Sequence, residues 1–356
     1  MGSLIQADQV IEHLYIHIPF CLKKCDYCSF YSLPLGENKD HPKLETYVSC
    51  LKKELQAYKQ QFNLRLKTIY FGGGTPSLLN TDQISDLLDL LIDNRAEQKE
   101  IEITLECNPN SVHEDYFYSL KQAGINRISL GVQSLDNQVL KYLGRIHDSH
   151  TAVKALEWVK KAGFENYSAD LIYGIPGQSR QQFLNDLNGF IDMGIPHISF
   201  YGLTLDEEVP LYRDHQNLPK EDIVCDQYYM AQQLLEDHGY LQYEISNYAK
   251  SGCYSRHNTA YWTGKTYLAA GPSASGYIRV SSADPNQDQY IRYTNYPDFN
   301  AYCLKWSDTT KKSFDQIEPI NQEEQEKEFI ITRFRLRSGI DLVEYNSCFH
   351  KDFLRV

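Results

Sequence analysis

The chain contains the run Tyr15-Ile-His-Ile-Pro-Phe-Cys21-Leu-Lys-Lys-Cys25-Asp-Tyr-Cys28, in which three cysteines lie within eight residues of one another. Residues 14–20 predict a buried strand, because a short apolar and β-branched run is typical of a strand inside a sheet. The cysteines then lie on a loop at the carboxyl end of this strand. Parallel α/β folds bind their ligands at that end. The run therefore predicts the first strand of the fold and the start of a ligand site.

The chain around this run alternates between short apolar runs and segments of helical periodicity. Strands are predicted at residues 14–20, 66–71, 101–107, 127–133, 167–174 and 197–205. Helices are predicted at residues 44–61, 81–93, 113–122, 150–161, 180–192 and 223–237. Six strands that alternate with helices indicate a parallel sheet with right-handed crossovers, either a doubly wound sheet or a full or partial barrel.

The pattern changes after residue 205. Residues 240–302 are rich in Tyr, Asn and Gly with weak periodicity, and the tail from residue 321 is charged before it turns apolar at 328–336. We interpret residues 1–210 as an α/β domain that holds the cysteine loop. Residues 211–356 are predicted to form a smaller α+β region packed on that domain.

Composition excludes several classes of function. The net charge of −12 argues against nucleic acid as the main partner, because a phosphate backbone requires clustered Lys and Arg. No apolar stretch approaches the length of about 18 residues that indicates a transmembrane helix. Residues 1–10 lack the basic and then apolar pattern of a secretory signal. We expect a cytoplasmic protein with at most peripheral membrane contact.

The three clustered cysteines are of a residue type and spacing typical of a metal site. Nine cysteines are present, and the six outside the cluster are scattered singly. In a reducing compartment such cysteines are thiols or metal ligands. Three thiolates on one loop can hold three irons of a [4Fe–4S] cluster and leave the fourth open, as a catalytic metal requires. The alternatives are a zinc knuckle with a distant fourth ligand or a ferredoxin-like electron carrier, although their usual spacings differ.

Glycines and polar residues follow the other predicted strands. In Gly72-Gly73-Gly74-Thr75-Pro76 the glycines allow the backbone to approach a ligand closely, or they form a plain strand-to-helix turn. Glu106 and Gln133 end the third and fourth strands. Asp170 lies inside the fifth strand, where an unpaired carboxylate is costly, so we expect it to meet a ligand or a cation. Arg145 is a candidate for a ligand carboxylate. Each of these residues alone is equally compatible with a structural role.

Six motifs together resemble the HemN/HemW group of radical S-adenosylmethionine (SAM) proteins, and the cysteine spacing matches that superfamily. They are Tyr15-Ile-His-Ile-Pro-Phe-Cys21, Phe71-Gly-Gly-Gly-Thr-Pro76, Glu106-Cys-Asn-Pro109, Gly131-Val-Gln-Ser134, Leu143-Gly-Arg145 and Asp170-Leu-Ile-Tyr-Gly-Ile-Pro176. The resemblance covers residues 14–280 and implies an incomplete (β/α)6 barrel. It also implies a [4Fe–4S] cluster on Cys21, Cys25 and Cys28, with SAM on the open iron.

The resemblance also implies roles for individual residues. By this likeness Tyr15 and Tyr27 flank the cosubstrate, Gly73, Gly74 and Thr75 contact its methionine end, and Glu106, Gln133, Arg145 and Asp170 hold the remainder.

Two branches of this group differ near the cluster. The oxygen-independent coproporphyrinogen III dehydrogenases typically have a fourth cysteine two residues after the third and a long arm before the cluster. Here that position is Phe30, and twenty residues precede Cys21. The heme chaperone branch lacks the extra cysteine and has a His-Asn-x-x-Tyr-Trp motif, which this chain matches at His257-Asn258-Thr-Ala-Tyr261-Trp262. The chain therefore resembles the chaperone branch more, and the dehydrogenase remains the alternative.

The chaperone branch implies heme as a further ligand. His257 is the candidate axial ligand, because a neutral imidazole commonly binds heme iron. A structural histidine in an aromatic-rich loop is the alternative. The partners implied are heme or a porphyrin, a heme-accepting protein and an electron donor for the cluster, and a homodimer is compatible with them. Ser275 stands where the group often has His, and the resemblance predicts a shortened C-terminal region.

Overall fold

The structure is a computed structural model and describes residues 9–36, 38, 41–94, 97–280, 289–307 and 314–355. Its strands are β1 (Val10–Ile18), β2 (Phe20–Cys21), β3 (Leu33–Pro34), β4 (Asn63–Gly73), β5 (Glu102–Cys107), β6 (Arg127–Gln133), β7 (Asn166–Tyr173), β8 (His197–Gly202), β9 (Leu241–Glu244), β10 (Asn247–Ala249), β11 (Leu268–Ala270), β12 (Ser275–Val280), β13 (Gln289–Thr294) and β14 (Gln316–Ile320). Its α-helices are α1 (Pro42–Gln61), α2 (Thr81–Leu91), α3 (Glu114–Ala123), α4 (Asn137–Tyr142), α5 (Ser149–Lys161), α6 (Arg180–Asp192), α7 (Glu221–Asp237), α8 (Arg256–Trp262), α9 (Phe299–Ser307), α10 (Gln322–Arg335) and α11 (Leu342–Phe349).

One large sheet organises the described residues. Its strand order is β11-β1-β4-β5-β6-β7-β8-β10-β9, so the six predicted strands lie side by side in chain order. β1, β4, β5, β6, β7 and β8 are parallel, β11 pairs in parallel with β1, and β10 and β9 are antiparallel at the other edge. The order is linear through the described strands. This confirms the incomplete (β/α)6 barrel.

Alternation along the strands separates the core from the barrel interior. In β6, Ile128 and Leu130 are fully buried in the hydrophobic core, whereas Arg127 and Ser129 line an internal cavity. Successive side chains of a strand point to opposite faces, so this order directs apolar residues to the helices and polar residues inward. The strand sequences therefore position the site as well as the core.

The crossover helices begin and end at residues with strong capping preferences. Ser179 and Gln182 form a capping box at the start of α6, and Asn80 and Gln83 form another at α2. α3 ends at Gly124, whose φ of 109° is the left-handed conformation that glycine adopts without strain. Predicted helix limits are accordingly within about two residues for α1, α2, α3, α5, α6 and α7.

A fully buried carboxylate joins α1 to the chain beyond residue 270. Glu54 accepts hydrogen bonds from the hydroxyl groups of Tyr58 (2.8 Å) and Tyr302 (2.5 Å). It also accepts from the backbone N–H of Gly271 (2.8 Å) and from Nδ2 of Asn295 (3.0 Å). We call these residues the Glu54 cluster. Four donors from α1, the β11–β12 turn, the segment after β13 and α9 therefore meet on one side chain.

The later residues form a smaller α+β unit. β12, β13 and β14 make an antiparallel sheet, and α10 begins at a capping box of Asn321 and Glu324. β9, β10 and β11 nevertheless belong to the large sheet although they follow residue 210, so the division at residue 210 stays a prediction. Within the described part of the chain, none of the helices has both the length and the apolar character required to cross a membrane.

Candidate functional site

A cavity of about 490 Å³ opens at the carboxyl ends of the parallel strands. The predicted residues that line it are Cys21, Cys25, Cys28, Tyr27, Gly73, Gly74, Thr75, Glu106, Gln133, Arg145 and Asp170. Tyr15 and His257 are not among the lining residues. The fold thus brings most of the predicted site together from six separate segments of the chain.

The three cysteines are free, partly exposed thiols on the loop after β1. Nη1 of Arg145 donates to Sγ of Cys25 (3.3 Å), and the Thr75 hydroxyl donates to Sγ of Cys21 (3.4 Å). Burial raises the pKa of Cys21 and of Cys28, so without a metal these thiols hold their protons. Metal binding at such a site is expected to release those protons.

The donor set fits an iron–sulfur cluster better than a single metal ion. Among the described residues, no three His, Cys, Asp or Glu side chains converge so that they could hold one ion. In a cubane cluster each thiolate binds a different iron, so convergence on one point is not required. Lys23 and Lys24 line the same cavity and supply positive charge beside the thiolates.

The glycine run is fixed against the loop that holds Cys21. The N–H of Gly74 donates to the carbonyl of Ile18 (2.8 Å), and the N–H of Thr75 donates to the carbonyl of Phe20 (2.7 Å). A Cβ on Gly74 would lie 2.5 Å from the Phe20 carbonyl oxygen, and Gly73 has a φ of 107°. The glycines therefore permit close packing on the cysteine loop, in addition to the close approach to a ligand that the sequence predicted.

Two carboxyl groups face the cavity from adjacent parts of the barrel. Glu106 accepts from the Tyr70 hydroxyl (2.7 Å) and from the Gly73 N–H (3.2 Å). Asp170 accepts weakly from the Ser129 hydroxyl (3.3 and 3.4 Å) and is also hydrogen-bonded to the Ser199 side chain. Burial raises the pKa of Glu106 to about 7 and that of Asp170 to about 6. Both groups therefore titrate near neutral pH and retain acceptor capacity for a ligand.

Arg145 and Gln133 occupy the neighbouring strand ends. Nη2 of Arg145 donates to Oδ1 of Asn108 (2.9 Å) and to the carbonyl of Gly131 (2.7 Å), while its Nε has no partner among the described residues. Gln133 has a φ of 73°, which is unusual for a residue with a side chain. Strained backbone of this kind is concentrated at functional sites. Both observations agree with the predicted ligand contacts, which stay predictions.

The two predicted tyrosines lie in different places. Tyr27 lines the cavity beside Arg145, and burial raises its pKa. The Tyr15 hydroxyl is bonded to Nδ1 of His17 (3.0 Å), and its ring stacks on Tyr70 at 6.2 Å. Tyr15 therefore lies behind the lining residue Tyr70 in this structure, and its contact with the cosubstrate stays a prediction.

His257 is buried in α8 with both ring nitrogens engaged. Nδ1 is 2.6 Å from the Thr68 hydroxyl, which also bonds Nδ1 of His13 (2.9 Å). Nε2 is 2.8 Å from the Tyr261 hydroxyl, and the ring stacks on Tyr70 at 5.0 Å. Burial lowers the pKa of His257 well below its ordinary value. In this conformation the imidazole has no free nitrogen for an iron, so the structure supports the structural alternative.

Several lining residues were not predicted from the sequence, among them Tyr70, Arg127 and Asn258. Tyr70 lies in β4, Arg127 begins β6 and Asn258 follows His257 in α8. A signal existed for Arg127, since a charged residue in an apolar parallel strand is as costly as the carboxylate of Asp170. Asn258 belongs to the same motif that drew attention to His257. Tyr70 had no signal beyond its place near a strand end.

Comparison with known proteins agrees with this geometry. A family model described as the radical SAM superfamily matches residues 15–188. The heme chaperone HemW of Lactococcus lactis is 34% identical over 347 residues, which cover 95% of this chain and 85% of that protein. The chain belongs to the HemW family. The HemW of Escherichia coli is 40% identical over 268 residues, which cover 74% of this chain and 70% of that protein.

A solved structure supports the fold of this HemW family member. It is titled "Coproporphyrinogen III oxidase (HemN) from Escherichia coli is a Radical SAM enzyme". Its TM-score is 0.79 at 22% identity, and the match covers 97% of this chain and 80% of that one. At this identity the likeness concerns the fold alone. It confirms the predicted radical SAM α/β architecture.

Proposed function

We propose that this protein binds a [4Fe–4S] cluster and SAM in the barrel cavity and acts as a heme chaperone that receives and delivers heme. One observation carries the proposal: three thiols and two incompletely bonded carboxyls face one cavity. When bound, the reduced cluster supplies one electron to the sulfonium of the cosubstrate. The protein supplies binding, orientation and exclusion of water.

The cavity residues have matching chemistry for the two groups. Cys21, Cys25 and Cys28 would hold three irons, with Arg145 donating to a ligating sulfur. Hydrogen bonds to cluster sulfurs tune the reduction potential. Glu106 and Asp170 would accept hydrogen bonds from amino and hydroxyl groups of the cosubstrate. Their incomplete bonding within the protein leaves oxygen atoms available for this purpose.

The residues at the mouth of the cavity are better candidates for contact with heme than His257 is. Phe30 and Tyr201 line this cavity and are 65% and 43% exposed, although large apolar rings are usually covered. Lys23 and Lys24 line the same mouth. Flat aromatic surface beside two ammonium groups is complementary to a macrocycle with two propionates. We therefore infer that heme contacts the mouth, with an axial ligand other than His257.

The central experiment is anaerobic reconstitution followed by three measurements. Iron and sulfide content test the cluster, equilibrium dialysis tests SAM binding, and heme titration with a coproporphyrinogen turnover assay tests the final role. We expect one cluster, SAM binding and stoichiometric heme binding without decarboxylation. Decarboxylation at a catalytic rate would overturn the chaperone assignment in favour of the dehydrogenase.

The heme surface has its own matched test. Phe30→Ala should weaken heme binding by about tenfold, since loss of a buried aromatic contact costs about 1–3 kcal/mol. Tyr229→Ala is the control, because Tyr229 is equally exposed at 65% on α7 and is absent from the cavity lining. Equal heme affinity of the two variants would remove Phe30 from the proposed surface.

A further inference from the structure

Arg127 is a fully buried cation without a protein partner among the described residues. It is 2% exposed at the start of β6, and its Nε has no hydrogen-bond partner. None of the ion pairs between described side chains involves its guanidinium. Arginine is almost never buried unless it is paired, because desolvation of its charge is costly. Some other group must therefore compensate this charge.

The sheet register identifies the compensating groups. Arg127 pairs with Thr104 of β5 and with Asn166 of β7. Glu106 is two residues beyond Thr104, and Asp170 is four residues beyond Asn166. Even spacing keeps all three charged side chains on the inner face of the barrel. Accordingly Arg127, Glu106 and Asp170 all line the cavity, and the register places Arg127 nearer the amino ends of the strands than the two carboxyls.

The electrostatics of the cavity floor agree with this arrangement. Burial raises the pKa of Glu106 and of Asp170, and the charge of Asp170 raises that of Glu106 further, whereas the charge of Arg127 lowers both. The Tyr70 hydroxyl and the Gly73 N–H act in the same direction as Arg127 on Glu106. A buried site with two carboxyl groups thus contains a cation that favours their ionised forms without occupying their oxygens in a direct ion pair.

We propose that Arg127 is a positioning residue that favours the ionised forms of Glu106 and Asp170, so that both carboxylates accept hydrogen bonds from a bound cosubstrate. The inference rests on the proposed function, because it concerns how the cavity binds SAM. A direct ion pair with Arg127 would occupy the carboxylate oxygens. At longer range the guanidinium leaves those oxygens free for hydrogen bonds from a ligand. This gives a role to a buried charged side chain that has no direct partner among the described residues.

Other ionisable groups surround these three residues and must stay unchanged in a test. Around the carboxyls and Arg127 they are Tyr15, Tyr70, Cys107, Arg145, His197, Tyr201, Tyr243, Cys253, His257 and Tyr261. Burial raises the pKa of each tyrosine and cysteine in this set and lowers that of each histidine, which favours their neutral forms. Arg145 is the other permanent cation, so it is retained in every variant.

The test is the pH dependence of SAM binding to the anaerobically reconstituted protein. Dissociation constants are measured by equilibrium dialysis from about pH 5 to about pH 9, which brackets the carboxyl pKa values. Affinity of the unaltered protein should rise as Glu106 and Asp170 ionise and then level off. In Arg127→Met the midpoint should move up by about one pH unit. Binding well below both midpoints should then weaken about tenfold, since there one pKa unit changes the ionised fraction by a factor of ten.

Two matched variants separate the effect of the Arg127 charge from an effect of the substitution on the fold. Arg127→Lys keeps the charge and should keep the midpoint. Thr104→Val changes the register partner of Arg127 at constant size and should also keep it. Weakening of Arg127→Met by the same factor at every pH, or a shifted midpoint in Arg127→Lys, would overturn the proposal. If Arg127→Met does not fold, Arg127→Lys alone decides. Absence of SAM binding by the unaltered protein would instead contradict the proposed function.

Discussion

Glu54 and Glu106 are both carboxyl groups whose pKa is raised by burial, yet their surroundings differ. Glu54 is 0% exposed and accepts four hydrogen bonds from α1, the β11–β12 turn, the segment after β13 and α9. Glu106 accepts two, and the remainder of its carboxyl faces the cavity. A carboxylate whose oxygens all accept hydrogen bonds from the protein stabilises the fold, whereas one with unoccupied oxygens can accept hydrogen bonds from a ligand.

The same contrast separates His257 from Arg127. The imidazole of His257 has both nitrogens bonded within the protein, whereas the guanidinium of Arg127 has none of its charge paired directly. The resemblance to the heme chaperone branch made His257 a candidate ligand, with a structural histidine as the alternative. The degree of hydrogen-bond satisfaction favours the structural role for His257.

The largest effect on stability is expected at Glu54, whose carboxylate accepts four hydrogen bonds from the protein. Glu54→Ala should lower the free energy of unfolding by at least about 3 kcal/mol, because each buried donor left unpaired costs about 1–3 kcal/mol. Urea unfolding measures this loss. Glu318→Ala is the control at an exposed glutamate of β14 and should change it little. A loss below about 1 kcal/mol for Glu54→Ala would abolish the distinction between the two carboxyls.

The second effect concerns the cavity carboxylate. Glu106→Ala should lower the free energy of unfolding by less than Glu54→Ala does, because it leaves two protein donors unpaired instead of four and also removes a buried charge. SAM should bind about 10- to 100-fold more weakly, since hydrogen bonds to charged groups contribute about 1.5–3 kcal/mol. Dialysis and urea unfolding on one preparation give both values. Severe destabilisation with unchanged SAM affinity would show that Glu106 resembles Glu54 after all.

A third, smaller effect is a change in how stability depends on pH. The folded-state pKa of Glu106 is raised to about 7, so its contribution to stability is present below about pH 4.5 and is lost as pH rises through 7. Glu106→Gln should remove a decline of the order of 1 kcal/mol across that window. Asp170 titrates nearby, with a pKa of about 6, and remains in both proteins. Stability–pH curves of the same shape for the unaltered protein and Glu106→Gln would contradict the raised pKa of Glu106.

The smallest effect is expected on the heme spectrum of a His257 variant. His257→Ala should leave the absorption spectrum of bound heme unchanged, because both ring nitrogens are engaged by Thr68 and Tyr261. The measurement is heme titration at matched occupancy of folded protein. A shifted Soret band would restore His257 as an axial ligand and would require α8 to rearrange on heme binding.

Much of the barrel follows from local sequence. β6 and α6 match their predicted limits, since each has several periods of its pattern and clear boundary residues. β11 was not predicted, because Leu268, Ala269 and Ala270 are too few for any periodicity. Its strand character depends on pairing with β1, more than 250 residues earlier in the sequence. Such pairing is determined by tertiary structure and leaves no local signal.

The site was predictable where chemistry is evident from residue type. The cysteines, the glycine run and Asp170, which were predicted from spacing and from the cost of a buried charge, line one cavity, and their contacts with ligands stay predictions. The hydrogen bonds of His257 were not predictable, because its partner Thr68 is 189 residues away in sequence. Whether a polar group is free or engaged depends on such distant contacts, so sequence alone does not separate a ligand from a structural residue.

The pairing of β11 with β1 has a consequence for synthesis of the chain. β1 leads into the cysteine loop, and one of its edges is covered by β4 while the other is covered by β11. On the ribosome that second edge stays open until residue 270 has emerged. Open strand edges recruit other chains, so nascent or truncated forms ending before β11 should aggregate. Completion of the barrel around the loop is thus a late event in translation.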